Sequence, residues 1–340
     1  VTDEHTEPTD DLASEDAPDD VAEARASGAP SERAHDLAAD AAAVAAALKD
    51  VPMTAGVPKP DPILIADRMR KRFGGLQAVD VDHLEVQNGS ITALIGPNGA
   101  GKTTFFNLLT GFGDPDEGEW SFEGRPLAKA PAHKFPQNGM VRTFQLTKAL
   151  AKMTVIENMK LGAPEQRGEN FFRALVPGVW RSQEREVEKR ADELLERFRM
   201  DHMRDEYAAT LSGGQRKLLE MARALMCKPR MIMLDEPMAG VNPALTQSLL
   251  EHIKEMRADG ATVVFVEHDM DVVSSISDWV VVMAEGSIIA ESLPGNVGDN
   301  RMVIDAYLGA HHDAPTTIEE EDRLLEETEA AITEQAEGES

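Results

Sequence analysis

The chain has 340 residues, with 34 Lys and Arg against 61 Asp and Glu, a formal charge of −27. A surface this acidic excludes a chain-wide nucleic-acid binder, because a phosphate backbone demands basic residues. The single cysteine, Cys227, excludes an internal disulfide framework and a cysteine-built zinc site, and the absence of a long apolar run excludes a membrane span within the chain.

Residues 1–60 carry 14 acids and 4 bases, and residues 311–340 carry 11 acids and 1 base, so the charge is concentrated in the two ends. Residues 1–60 read as a disordered acidic leader, with helix-forming Ala and Leu only across 34–49. VPMTAGVPKPDP (51–62) reads as a proline-rich linker, and Met53 is a candidate start, at the point where order is expected to begin. No secretory signal is present at the N-terminus, so the chain reads as intracellular. The bases divide into 21 Arg and 13 Lys. With the acidic excess, this bias reads as salt adaptation, as in a halophilic archaeon.

From Ile63 the pattern changes. ILIADRMRKRF and SITALIG read as strands, and GKTTFFNLLTG follows the second as a helix. The stretch 146–222 has no comparable strand and reads as a mainly helical insertion, in which Val187, Ala191, Leu194, Leu195 and Phe198 share one side of a helix. Within it, NFFRALVPGVW (170–180) is the most apolar piece, and Trp180 stands either in a local core or in a docking groove. MIMLD (231–235) and TVVFV (262–266) are short, wholly apolar runs of buried-strand type. Between them Leu245, Leu249, Ile253 and Met256 line one face of a helix that stops at Gly260. A short helix (270–277) precedes WVVVMAEGSIIAES, a hairpin with Glu285 and Gly286 at the turn. Strand–helix–strand alternation of this kind predicts an α/β core with a mostly parallel sheet.

GPNGAGKT (96–103) fits the phosphate-loop pattern G-x-x-x-x-G-K-[ST], with an apolar strand before it and a helix after it. Gly96, Gly99 and Gly101 let successive backbone N–H groups converge without Cβ clashes, and Pro97, Asn98, Ala100 and Thr104 complete the loop and the helix start. Lys102 is expected to reach the β- and γ-phosphates of ATP, and the Thr103 hydroxyl to ligate Mg²⁺. MIMLDEP delivers Asp235 to a strand's C-terminal end, where open α/β sheets bind ligands. Asp235 is expected to hold Mg²⁺ through water, and Glu236 to polarise the attacking water. His268, just past the next strand, is expected to bond the γ-phosphate. Gln145, in RTFQ at the start of the insertion, is placed to touch Mg²⁺ and the water.

LSGGQ (211–215) resembles the signature of ABC-type ATPases. The resemblance implies a P-loop NTPase core of ABC-ATPase type with an antiparallel β subdomain and a helical insertion. It also implies that Ser212, Gly213, Gly214 and Gln215 close over ATP bound to a partner subunit. The other motifs stand in register: Gln145 with the Q-loop glutamine, Asp235 and Glu236 with the magnesium aspartate and catalytic glutamate, AGVNP (239–243) with the dimer-contact loop, and His268 with the switch histidine. Phe73 stands where the family stacks an aromatic, more often Tyr, on adenine. KRFGGLQAV, ENMKLGA, LSGGQRKLLEMARALM, VEHDMDVV and the closing DAYLG narrow the resemblance to ATPase subunits of branched-chain amino acid importers, specifically the longer of the two types. It covers about residues 63–309, which sets the expected ATPase domain at 61–309 and a disordered or partly helical acidic tail at 310–340.

The resemblance implies a head-to-tail pair with a second ABC ATPase, the same chain or a related one. It further implies transmembrane permease subunits gripped by the insertions, an external solute-binding protein, no nucleic acid, and a peripheral place on the cytoplasmic face of the membrane. ATPases of urea or amide importers and of lipid exporters share much of the pattern. Soluble, non-transport ABC ATPases usually carry two cassettes or a long coiled coil. Here there is one phosphate loop and one LSGGQ, about 110 residues apart.

Overall fold

The computed structural model describes residues 42–127, 130, 132–143, 151–164 and 177–312, with the backbone alone for 177–182 and 309–312. Two sheets carry the fold. β1 (Pro62–Phe73), β2 (Leu76–Gln87), β4 (Glu117–Phe122) and β5 (Arg125–Pro126) form an antiparallel sheet in the order β2-β1-β4-β5. The second sheet has the order β10-β9-β3-β8-β7-β6, built from β3 (Ile91–Ile95), β6 (Met140–Arg142), β7 (Met231–Asp235), β8 (Thr262–Val266), β9 (Trp279–Ala284) and β10 (Ser287–Ser292). All its pairings are parallel except the β9–β10 hairpin, which turns at Glu285 and Gly286, both at positive φ.

The parallel strands are mostly apolar because both faces are covered. On one face Ile91, Ala93, Ile95, Ile232, Leu234, Val263, Phe265, Val280 and Val282 meet a helical layer. On the other, Leu94, Met231, Met233, Val264, Val266, Val281 and Met283 meet the antiparallel sheet and α2 (Lys102–Leu109). The alternation within each strand is the period-two signature of the pleat.

The helical layer includes α3 (Val155–Leu161), α4 (Pro177–Arg197) and α5 (Gly213–Leu225), which continues past the expected edge at 222. Ala191, Leu194, Leu195 and Phe198 are buried together. α6 (Pro243–Ala258) buries Leu249, Ile253 and Met256, as its spacing predicts, and α7 (Met270–Ile276) follows β8. Gln145 and the apolar stretch 170–176 lie outside the described residues, as does the side chain of Trp180.

The expected N-terminal edge needs correction. Residues 42–49 form a first helix, α1, and Leu48, Val51 and Val57 are buried in the core under the antiparallel sheet. Val44, Leu48 and Val51 recur at one-turn spacing and supply one apolar face, which an average over sixty acidic residues conceals. The folded unit therefore starts upstream of Met53 and of residue 61. At the other end α8 spans Arg301–His312, which carries helix into the first residues of the tail.

Candidate functional site

β3, β8 and β7 lie side by side, with Leu94 opposite Val266 and Val266 opposite Asp235. Their C-terminal ends therefore deliver the loop 96–101, the pair Glu267–His268 and the pair Asp235–Glu236 to one edge of the sheet. The Glu236 amide donates to the Val266 carbonyl at 3.1 Å, which locks the two acidic ends together.

The loop after β3 is built for close backbone approach. A Cβ on Gly96 would stand 2.0 Å from the Met283 carbonyl oxygen, and one on Gly101 would stand 2.3 Å from that of Ala78. Gly101 caps α2 in a left-handed conformation (φ 94°), with no side-chain cap and no acid in the first turn. The amide end of α2 is left to an external anion. Lys102 Nζ donates to the carbonyls of Gly96 (2.7 Å) and Pro97 (2.9 Å). Burial pulls its ammonium below the ordinary lysine value, while the charges of Glu236 and Asp235 oppose that shift. Lys102 thus shares one electrostatic field with both acids. Ala100 is buried and its carbonyl accepts from Gly286, whereas Asn98, Gly99 and Thr103 are exposed and Pro97 and Thr104 half-buried. Phe73 ends β1 on the hairpin whose Ala78 abuts Gly101. Its ring is 57% exposed and so open to stacking, with Lys71 Nζ 5.7 Å from the centroid.

Asp235 is not a free carboxylate. Its Oδ2 accepts from Arg142 at 2.6 Å, and both side chains are almost fully enclosed. Arg142, at the end of β6, also donates to Asn107 Oδ1 (2.6 Å) and Thr110 Oγ1 (3.2 Å). Sequence reading missed Arg142, although it stands three residues before Gln145. Glu236 takes a left-handed backbone (φ 46°), a strained conformation for a residue with a Cβ. Next to it, Glu267 is 1% exposed and accepts from the amides of Met238 (2.9 Å) and His268 (3.3 Å). Burial raises its carboxyl above the usual range, and those two amides oppose the shift. His268 itself projects outward, with its side chain 67% exposed. α8 lays Tyr307 against the loop. Burial raises its phenol, opposed by the Gly96 backbone.

Ser212 caps α5 through a capping box: its Oγ accepts from Gln215 N (3.2 Å), and Gln215 Oε1 accepts from Ser212 N (2.8 Å). Gly214 packs so closely on α6 that a Cβ would stand 2.0 Å from Leu245 Cδ2. Ser212 and Gly213 are exposed, and among the described residues no hydrogen bond joins 212–215 to the loop 96–104. The structure thus brings Lys102, Asp235, Glu236 and His268 together and leaves the LSGGQ segment facing outward. Asn242 caps α6, with Pro243 at its first position, after the exposed Ala239 and Gly240.

These residues fit a magnesium nucleotide. The glycine cradle and open helix end suit phosphate oxygens, and a carboxylate at the end of β7 and a Thr hydroxyl on the first turn of α2 are oxygen donors of the kind a hard cation takes. A phosphate loop, tandem acids and an outward LSGGQ helix define the ATP-hydrolysing cassette of ABC transporters, and the family model described as "ABC transporter" matches residues 79–239. The chain is 45% identical over 248 residues to a probable branched-chain amino acid transport ATP-binding protein, LivG, of Archaeoglobus fulgidus, spanning 73% of this chain and 96% of that one. It is 41% identical over 250 residues to the high-affinity branched-chain amino acid transport ATP-binding protein BraF of Pseudomonas aeruginosa, spanning 73% and 98%. Among solved structures it resembles a nucleotide-free ATP-binding cassette from an ABC transporter, with a TM-score of 0.64 at 38% identity over 72% of this chain and 98% of that one. The ADP conformation of such a cassette gives 0.63 at 37% identity, over 73% and 99%. The chain belongs to the LivG/BraF family of ABC transporter ATP-binding subunits. Among the described residues no helix is long and apolar enough to cross a membrane.

Proposed function

We propose that this ATPase drives import of branched-chain amino acids, or of a closely related small polar solute, through partner permeases. The observation that carries the catalytic half is the shared strand edge, where the Lys102 ammonium lies in the field of Asp235 and Glu236. The solute rests on the relatives' names, since the ATPase itself does not touch the cargo.

ATP would lay its phosphates in the cradle of Gly96 to Gly101, with Lys102 turning from the Gly96 and Pro97 carbonyls to the β- and γ-oxygens and Phe73 offering its ring to adenine. Thr103, Asp235 and Gln145 would hold Mg²⁺, which neutralises charge on the phosphate oxygens. Glu236 would orient and polarise the attacking water, with His268 reaching the γ-phosphate. Ser212 to Gln215 would close over the nucleotide of a second subunit placed head to tail, so that each pair makes two composite sites. Closure and reopening would move the helical layer against a permease that switches between two states, with an external binding protein supplying the solute. The subunit would then work on the cytoplasmic side of the membrane.

Glu236→Gln tests this. Turnover should vanish while ATP binding persists, and gel filtration with MgATP should show a larger species than wild type. Full turnover in the variant would remove Glu236 from the reaction.

A further inference from the structure

Lys217 lies two residues beyond the LSGGQ segment on α5, and its side chain reaches the strand edge. Nζ donates to the carbonyl of Glu236 and to that of Pro237, both at 3.0 Å. Beside it Glu267 accepts the Met238 and His268 amides. The turn that carries Glu236 is therefore gripped by a cation on the signature helix and by a carboxylate on the strand leading to His268. Burial lowers the Lys217 ammonium, and the nearby charge of Glu267 opposes that shift. An ammonium kept in so enclosed a place, aimed at main-chain carbonyls, does more than solvate a helix face.

The grip matters because Glu236 is held in a left-handed conformation. Such a backbone is unfavourable for a residue with a Cβ and persists only where its surroundings over-determine it. The Glu236 amide is held by the Val266 carbonyl, and the two hydrogen bonds from Lys217 fix the peptide units on either side of the Pro237 Cα. The Lys217 bonds also make the turn follow α5. The capping box keeps the first turn of α5 formed without any outside partner, so the helix moves as a rigid piece. From Ser212 to Lys217 it spans about 7.5 Å at the helical rise.

We propose that Lys217 is a positioning residue for Glu236, and that through it the chain's own hydrolytic carboxylate follows the contact its signature loop makes with the partner's nucleotide. The second clause rests on the composite-site reading above. The first rests on the geometry alone.

The experiment uses the full chain. ATP affinity is measured with a fluorescent analogue, and kcat and KM by steady-state ATPase, for wild type, Lys217→Met and Lys217→Arg. Lys217→Met should leave affinity within about twofold and lower kcat by about 10²-fold, the scale of a misplacement near 1 Å. Lys217→Arg keeps a cation able to bond two carbonyls and should recover most of kcat. In mixed dimers Glu236→Gln then silences one subunit. Lys217→Met on the subunit with the working Glu236 should abolish the remaining turnover. The same change on the silenced subunit should spare it. Equal loss in both placements, loss only in the second, or no loss in kcat would overturn the proposal. A melting temperature lowered in step with kcat, without rescue by Arg, would do the same. Wild type without ATPase activity would instead sink the functional reading itself.

Discussion

Lys59→Met tests the corrected N-terminal edge of the fold. Lys59 Nζ lies 2.7 Å from Glu291 Oε2, with the two side chains 1% and 0% exposed. It also donates to the Val57 carbonyl (2.9 Å) and sits 4.7 Å from the centroid of the Trp279 ring. Glu291 gathers the remaining donors, Trp279 Nε1 and the Gly56 amide, each at 2.8 Å. Methionine keeps the apolar stem but leaves Glu291 an enclosed anion with neutral donors only. Breaking a buried pair from one side costs about 3–5 kcal/mol. At roughly 2–4 °C per kcal/mol for a unit of this size, the melting temperature should fall by about 10 °C. Lys59→Met with Glu291→Gln removes the stranded charge and should recover most of that loss, with the coupling read from the double-mutant cycle. Because the pair is enclosed, the loss should survive molar salt, which would erase a surface bridge. Calorimetric or circular-dichroism melts supply the numbers. A shift below about 2 °C, or a double variant no better than the single one, would refute the claim that this strap is part of the folded unit.

Lys102→Ala deletes a charge facing the phosphate cradle and should weaken binding of a fluorescent ATP analogue by about 10–100-fold, the worth of one charge-assisted hydrogen bond; unchanged affinity would count against the site. Ser212→Arg should bind ATP normally yet fail to hydrolyse it, and should lose about 1 kcal/mol with its helix cap. Mixed with Lys102→Ala subunits it should regain some turnover, because one of the two composite sites is then intact, and silence at every ratio in proven heterodimers would defeat the composite-site argument. Burial raises the Cys227 thiol above its ordinary 9.0, against the pull of Arg190 and Arg223, and its Sγ meets the Gly162 carbonyl at 3.0 Å. An acid raised on folding adds stability below its unfolded pKa and loses it as pH climbs through the folded one. Alkylation at pH 8 should therefore be slow in the native chain and fast in urea, and unfolding should become easier at alkaline pH; equal alkylation rates would contradict the burial.

The parts legible in the sequence were those whose signal is local. MIMLD and TVVFV could be read as buried strands because both their faces are covered, and the phosphate loop because its glycines, lysine and threonine are contiguous. LSGGQ could be read because its five residues are contiguous, whereas the capping box of Ser212 and Gln215 emerged only in the structure. What stayed hidden depends on long-range pairing. Glu291 in SIIAES reads as an outward polar position until Lys59, 232 residues earlier, is seen beside it. Arg142 and Lys217 read as ordinary surface bases until the fold brings Asp235 and Glu236 to them. In LQAVDVDHLEVQ, Val79, Val81, Leu84 and Val86 are buried in β2. Val79 and Val81 alternate, and so do Leu84 and Val86, but the second pair is out of step with the first, so no continuous period-two run marks the strand and the residues alone yielded none there. The α1 face was lost to dilution by the acids around it.

The tandem acids show why the site needs the whole fold and not only its motifs. Asp235 and Glu236 are adjacent in sequence but are held from opposite layers. Arg142 binds the Asp235 carboxylate and, through Asn107 and Thr110, the helix that follows the phosphate loop. Lys217 binds the main chain of Glu236 from the signature helix on the other side of the sheet. A displacement of either helical layer therefore reaches a different one of the two acids. The layer bearing α2 acts on the charge expected at the metal, and the layer bearing α5 acts on the carboxylate expected at the water. Two neighbouring residues on one strand end thus report on two separate surfaces of the molecule, which is the arrangement a hydrolytic site needs if it is to fire only when its own nucleotide and its partner are both in place.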